Sequence, residues 1–287
     1  MTLRVGAFTR IYDPAVGESQ PWYINDHCFM RGEDGVWHMY GITHAEPARP
    51  LDETSLAHAT AHTLTQSPWV KQPFALQADP VWHETHLWAP HVIRHQGLYW
   101  MYYCAGGAAH ERYRLHLATS PDLWHWTRHA ANPMVVDGFD ARDPMVLQLD
   151  DQWVMYYTAT AQPGGGQHVV ACVTSDDLLH WQNRRQVYID ATAGRQGGPC
   201  ESPFVVRRGA WFYLFIGPRG EYSRTAVYRS RDPFHWTREH QVAELPAHAA
   251  EVVVDSAGQY YVSHCGWGQG GLYLAPLHWH DQEDKAG

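Results

Sequence analysis

No stretch of this 287-residue chain approaches the roughly 18 to 20 consecutive apolar residues that a membrane-spanning helix requires. Positive charge is also scarce: 21 Lys and Arg stand against 30 Asp and Glu, a formal net charge of -9. Nucleic acid and anionic membrane surfaces both need a basic face, to displace counterions or to meet lipid phosphates. No Lys/Arg-rich run supplies one, so neither is expected as a partner. The cysteines, Cys28, Cys104, Cys172, Cys200 and Cys265, are odd in number, far apart and without a C-x-x-C pair. A disulfide framework and a cysteine zinc site are therefore not indicated, and buried thiols are expected. The first residues, Met1 to Arg10, lack the apolar core of a signal peptide, so a cytoplasmic location is expected. Helical periodicity is missing as well: no window of about 11 residues carries an i, i+3, i+4, i+7 apolar stripe with caps.

The excess is in rings, with 14 Trp, 16 Tyr, 8 Phe and 21 His. Their placement is periodic. Ser120-Pro121-Asp122-Leu123-Trp124-His125-Trp126, Ser175-Asp176-Asp177-Leu178-Leu179-His180-Trp181 and Ser230-Arg231-Asp232-Pro233-Phe234-His235-Trp236 place their last Trp at steps of 55 residues. Ser and Asp supply side-chain oxygens to a turn's N–H groups, and the Trp is a large plate for packing on a neighbouring sheet. A short alternating segment before each copy reads as a strand.

Five aromatic-rich strands, beginning at Trp37, Tyr99, Trp153, Trp211 and Tyr260, each follow another apolar strand through a tight turn such as Asp34-Gly35, Gln96-Gly97 or Arg208-Gly209. With the S-x-D strand and one more after its Trp, each unit becomes a four-stranded antiparallel sheet. Five such units arranged radially make an all-β, five-bladed β-propeller, a fold that leaves few exposed edges. One catalytic domain over residues 1–287 is expected. The fifth unit is a strand short, so the N-terminal segment, within residues 1–20 and mainly residues 3 to 12, is expected to close the ring. Most of the rings are then packing between blades, and His125, His180 and His235, repeated before each blade Trp, are architectural.

In such a ring the starts of the five inner strands meet at the axis. The residues there are Asn25-Asp26-His27, Trp88-Ala89-Pro90, Arg142-Asp143-Pro144, Glu201-Ser202-Pro203 and His248-Ala249-Ala250-Glu251. Clustered acids lose hydration and repel one another, which raises at least one pKa. Glycoside hydrolysis uses such a pair, one carboxyl protonated to serve the leaving oxygen and one ionised to activate water or attack carbon. Pro199, Cys200 and Pro203 favour a protonated Glu201, the expected general acid. Asn25 and His27 offer hydrogen bonds to an ionised Asp26, the expected base or nucleophile. Asp143, kept charged by Arg142, is expected to orient the sugar and hold up the pKa of the acid. Trp88 and Trp267, in the glycine-rich turn Gly266–Gly271, are the sugar-stacking candidates, and Asn25, His86, Arg142, His248 and Glu251 complete the expected binding set. His83-Glu84-Thr85-His86 fails the H-E-x-x-H spacing of a zinc helix.

At these residues the chain resembles the five-bladed propeller glycosidases of glycoside hydrolase family 43 and, more distantly, the family 32 fructosidases. The S-x-D-x-x-x-W turns, Trp88-Ala89-Pro90, Arg142-Asp143-Pro144 and Glu201-Ser202-Pro203-Phe204 carry the likeness. It implies an Asp, Asp, Glu triad at Asp26, Asp143 and Glu201, an inverting mechanism, no required cofactor, and a calcium or other cation near the axis, with His248 or His264 beside it. His91 stands where family 43 commonly has Asp. The Pro-Asn-Gly of family 32 is missing after Asp26, Cys200 precedes rather than follows Glu201, and no β-sandwich domain follows the fifth blade. The expected function is removal of terminal arabinofuranosyl or xylosyl residues from short oligosaccharides. The alternatives are a retaining fructofuranosidase, a phosphorylase using Arg219 and Arg224, and a sugar-binding propeller without catalysis.

Overall fold

The computed structural model describes residues 2–194, 198–219 and 222–280. Five antiparallel sheets share it. Blade one runs outward through Trp22–Arg31, Trp37–Ala45, Ser55–Ala61 and Val70–Gln77. Blade two is Trp88–His95, Leu98–Gly106, Tyr113–Ser120 and Thr127–Arg128. Blade three is Arg142–Leu149, Gln152–Gln162, Gly165–Ser175 and Gln182–Ile189. Blade four is Glu201–Arg208, Trp211–Arg219, Arg224–Ser230 and Gln241–Leu245.

Blade five has three strands of its own, Val252–Val254, Tyr260–His264 and Leu272–His280. Its outer edge comes from the start of the chain: Thr2–Val5 and Thr9–Tyr12 both pair antiparallel with Leu272–His280. The break between the two pieces falls at Gly6, opposite Pro276, which has no N–H to give a ladder; the Gly6 N–H donates to the Pro276 carbonyl at 2.8 Å.

The repeated turns work as latches between blades. Ser120 Oγ accepts from the Leu123 N–H at 2.9 Å, and Asp122 Oδ1 from the N–H groups of Trp124 and His125 at 2.8 and 2.9 Å; Ser175 and Asp177 repeat this geometry. A tyrosine of the preceding blade then donates its hydroxyl into each turn: Tyr40 to Leu123 O at 2.5 Å, Tyr102 to Leu178 O at 2.7 Å and Tyr156 to Pro233 O at 2.9 Å. The edge of the turn's Trp126, Trp181 or Trp236 packs on that same tyrosine ring, with centroids 5.4, 5.7 and 6.0 Å apart. One tyrosine thus serves both an apolar interface and a polar turn. The apolar core follows the same plan. Its five clusters lie at the five junctions between neighbouring blades, the one between blades two and three also taking in Ile42 of blade one, and another pairing blade five with blade one through Ile11, Tyr12, Ile24 and Leu272.

Candidate active site

Each of the first four inner strands starts with a bulge, between Ile24 and His27, Trp88 and His91, Arg142 and Met145, and Glu201 and Phe204. Ala89, Asp143, Ser202 and, in blade five, Ala249 all sit in the left-handed region, at φ between 43° and 55°. For non-glycine residues this costs about 1 to 3 kcal/mol each. A bulge bends its strand and leaves a residue out of the ladder. Here it frees the Ser202 N–H, which donates to Asp143 Oδ2 at 3.0 Å, and brings all five strand starts around one narrow axial cavity.

Asp26, Asp143 and Glu201 meet at the mouth of that axis. Asp143 is fixed by the Ser202 N–H, by the Thr158 hydroxyl at 2.9 Å and by Arg142 Nε at 3.6 Å. Asp26 accepts a short hydrogen bond from the Ser202 hydroxyl. Burial, and then the charge of Asp143, push the Asp26 carboxyl well above the ordinary aspartate range. Burial also raises Glu201; Arg142 opposes it and Asp143 adds to it.

Arg142 reaches Glu201 Oε1 through Nη2 at 2.6 Å and pairs closely with Asp140 through Nη1. Arg142 does lie beside Asp143 as expected, but it is the shared counter-ion of three carboxylates, because Glu201 holds in blade four the strand position that Arg142 holds in blade three. Asp140 also accepts from His110 Nδ1 at 2.9 Å and from the buried His168 Nε2. Burial would raise Asp140, but the His168 bond and Arg142 hold it well below its usual value. A correction concerns Asp26. His27 turns to the Ser263 hydroxyl at 2.8 Å and the Cys265 thiol at 3.2 Å, so it lends Asp26 no hydrogen bond. Burial keeps His27 neutral by lowering it to about 3.

A cavity of about 540 Å³ opens above these groups, and every blade lends it a wall. Blade one gives Asn25, Asp26 and Glu53; blade two Trp88, His110 and Tyr113; blade three Asp140, Arg142 and Asp143; blade four Glu201, Ser202 and Tyr222; blade five Trp267. Of the expected binding residues, Asn25, Trp88, Arg142 and Trp267 line it. His86 is fully buried behind Trp88, ring centroids 4.0 Å apart, and supports that wall instead of touching the pocket. His248 lies behind Tyr222, at 3.7 Å between centroids, and Glu251 faces the axial cavity, both on the segment that leads into the inner strand of blade five. Trp267 stacks on Tyr222 at 5.0 Å and 14°. Its loop needs glycine: at Gly266, φ 142°, a Cβ would lie 3.0 Å from the His248 ring. Glu53, Asp140, His110, Tyr113 and Tyr222 carry no signal in the sequence motifs; Ser202 lies inside Glu201-Ser202-Pro203, which gives its place at the axis but not its role. Glu84 is structural, gripped by Arg128 and accepting from the Tyr103 hydroxyl at 2.8 Å.

Calcium takes six to eight oxygen ligands. The axial lining is mostly apolar, with Ala89, Pro90, Met145, Phe204, Ala249 and Ala250, and among the described residues no three His, Cys, Asp or Glu side chains gather as a metal site. His264 Nδ1 already accepts from the His248 N–H at 2.9 Å, while both buried ring nitrogens of His248 have no partner among the described residues. These side chains do not form a calcium cage of their own.

Residues 54–271 match the family model described as Glycosyl hydrolases family 43. An uncharacterized protein of Mycobacterium tuberculosis, Rv1502, is 26% identical over 161 residues, covering 49% of this chain and 52% of that protein. The chain thus spans about half the length of the curated relatives it matches. Among solved structures, a family 43 enzyme of Xanthomonas citri superposes with a TM-score of 0.73 at 15% identity, over 97% of this chain and 92% of that one. An α-L-arabinanase of Cellvibrio cellulosa complexed with arabinohexaose gives 0.70 at 16%, over 92% and 94%. A β-xylosidase/α-arabinofuranosidase from a compost microbial metagenome, in complex with xylotriose, gives 0.70 at 15%, over 98% and 97%. At such identities the superpositions establish the propeller fold.

Proposed function

The chain belongs to glycosyl hydrolases family 43, and from that membership we propose that it is a glycoside hydrolase removing one terminal neutral sugar, arabinofuranose or xylose in type, from a short oligosaccharide. The observation that carries the reading is the meeting of Asp26, Asp143 and Glu201 at the floor of a pocket walled by all five blades. A groove open at both ends would suit mid-chain cleavage, whereas a pocket lined from all five blades around the axis suits a chain end.

Glu201, raised by burial, is the general acid that protonates the leaving glycosidic oxygen. Asp26 takes a proton from the attacking water, the inverting form of the two-carboxylate scheme. The Ser202 hydroxyl aims Asp26. Asp143, immobilised by its donors, keeps both neighbours' pKa values up and offers its remaining oxygen to a sugar hydroxyl. A phosphorylase would need spare positive charge. Arg142 is already shared among carboxylates, Arg224 pairs with Glu244 at 2.8 Å on the exterior, and the Arg219 side chain lies outside the described residues.

The test is a screen of aryl arabinofuranosides, xylosides, galactofuranosides and fructosides without phosphate, with NMR of the first-formed anomer. An inverted arabinose or xylose is expected. Glu201→Gln should lose about 10² to 10⁴ in kcat, most on poor leaving groups. Equal turnover by that variant overturns the acid assignment, a retained fructose favours the family 32-like mechanism, and no turnover of any glycoside favours a binding module.

A further inference from the structure

The acid–base scheme leaves one buried carboxyl of the pocket unused. Glu53 follows the short turn Pro50–Asp52 in blade one and is 2% exposed, yet it forms part of the pocket wall. Tyr23 donates its hydroxyl to Glu53 Oε1 at 2.5 Å, and Trp267 Nε1 donates to the same oxygen at 3.2 Å. Both of these bonds end on Oε1, so Oε2 is the oxygen offered to a donor arriving in the pocket, where Trp88 also lies within hydrogen-bonding reach of the carboxyl. The rings of Trp88 and Trp267 share this wall, the former tied through Nε1 to Pro50 O at 3.0 Å. Two aromatic plates fit the C–H faces of a sugar, and an ionised carboxyl, an acceptor only, fits its hydroxyls with charge-assisted bonds. The pocket also holds Asp26, Asp140, Asp143 and Glu201 against the single described cation Arg142, a balance that repels anionic ligands.

We propose that Glu53 is a substrate-binding residue that selects the terminal sugar, its Oε2 accepting hydroxyl protons of a neutral ring held against Trp88 and Trp267, while uronic acids and sugar phosphates are refused. This rests on the pocket being the sugar site proposed above. Burial lifts the Glu53 carboxyl to about 7 against the hydrogen bonds from Tyr23, Trp267 and Trp88. The accepting form is therefore complete above that pH and lost below it. The other charged and titratable groups around it are Arg49 and Asp52 on its own turn, Tyr23, Glu46 (which anchors the Trp267 loop through the Gly268 N–H) and, in the pocket, His110, Tyr113, Tyr222, Arg142 and its carboxylates. Comparison with an uncharged isostere isolates Glu53 from them.

Free L-arabinose, D-xylose, D-fructose, D-galactose and D-glucuronate would be titrated into the full chain, with tryptophan fluorescence and calorimetry as readouts, between pH 5.5 and 8.5. Wild type should bind a neutral sugar about tenfold more tightly at pH 8.5 than at pH 5.5, and should not bind glucuronate. Glu53→Gln, whose amide oxygen still accepts from Tyr23 and Trp267, should bind about tenfold more weakly at pH 8.5 with a flattened pH profile. Trp267→Phe keeps the plate but removes one donor from the carboxylate, so its binding midpoint should move to higher pH. Unchanged affinity and pH profile in Glu53→Gln, an unmoved midpoint in Trp267→Phe, or no sugar binding by wild type each overturn the proposal. Glu53-dependent binding without hydrolysis of any aryl glycoside would overturn the hydrolase reading and leave this one standing.

Discussion

Replacing Glu53 with Gln should change the pH dependence of stability in a calculable way, whatever the pocket binds. Burial moves this carboxyl from its ordinary 4.5 to about 7 in the fold. The folded protein therefore holds the proton more tightly than the unfolded chain, and wild-type stability from this group is fully present below about pH 4.5 and falls as pH rises through 7. At about 1.36 kcal/mol per pKa unit the whole effect is about 3 kcal/mol, most of which is lost between pH 5 and pH 8. Gln has the same shape and no such proton. The melting temperature of Glu53→Gln relative to wild type should thus rise, from pH 5 to pH 8, by about 4 °C for a chain of 287 residues. Scanning calorimetry of both proteins at the two pH values measures this double difference, in which every other titrating group cancels. Equal melting-temperature differences at pH 5 and pH 8 would refute the assignment of Glu53 as a buried carboxyl with a raised pKa.

Asp140→Asn removes one of the negative charges that share Arg142, so the guanidinium should lean more strongly on Glu201, lower its pKa and move the alkaline limb of the kcat profile down. At pH 7 kcat should fall about tenfold per pKa unit lost, and an unmoved limb would show that Asp140 has no part in setting the acid. Deleting residues 1–12 removes the edge of blade five together with buried Leu3, Ile11 and Tyr12. At about 1.5 to 3 kcal/mol for each buried side chain, the loss approaches the whole stability of a domain, so a cooperative melting transition should vanish; its survival would mean the ring closes without these strands.

The fold was legible because its evidence is local and repeated. Ser, Asp and Trp recur at one period, and each residue type states its job in the turn. The latch that joins the blades was only half legible. Tyr40, Tyr102 and Tyr156 were visible as strand residues, but nothing in a single blade shows that each hydroxyl leaves its own sheet to bond the next blade's turn. The incomplete fifth unit pointed to the N-terminus, whereas the split of its edge at Gly6 depended on Pro276, some 270 residues away. Partners so distant carry no spacing that a period can reveal.

The site divides along the same line. Asp26, Trp88, Arg142, Asp143 and Glu201 could be found because they occupy the starts of inner strands, where the ring itself dictates convergence. Glu53, Asp140 and Tyr222 come to the pocket on connections between strands, and connections follow no period. Convergence also says which residues meet and not which way they face. His248 holds in blade five the position of Arg142 and Glu201, yet its ring lies behind Tyr222, and His27 turns from its neighbour Asp26 to Ser263 and Cys265. The consequence for chemistry is concrete. With His27 neutral and turned away, Arg142 is the one described cation on the pocket wall, and it touches Glu201 at 2.6 Å while Asp26 is held by the Ser202 hydroxyl and a backbone N–H, with no cation on it among the described residues. Burial and Asp143 raise both carboxyls, so the pair titrates as a unit, and Arg142 draws the shared proton away from Glu201 and toward Asp26. The acid-competent arrangement, with Glu201 protonated and Asp26 ionised, is then the minor one at rest, and the carboxylates that divide the charge of Arg142, above all Asp140, are what keep it within reach.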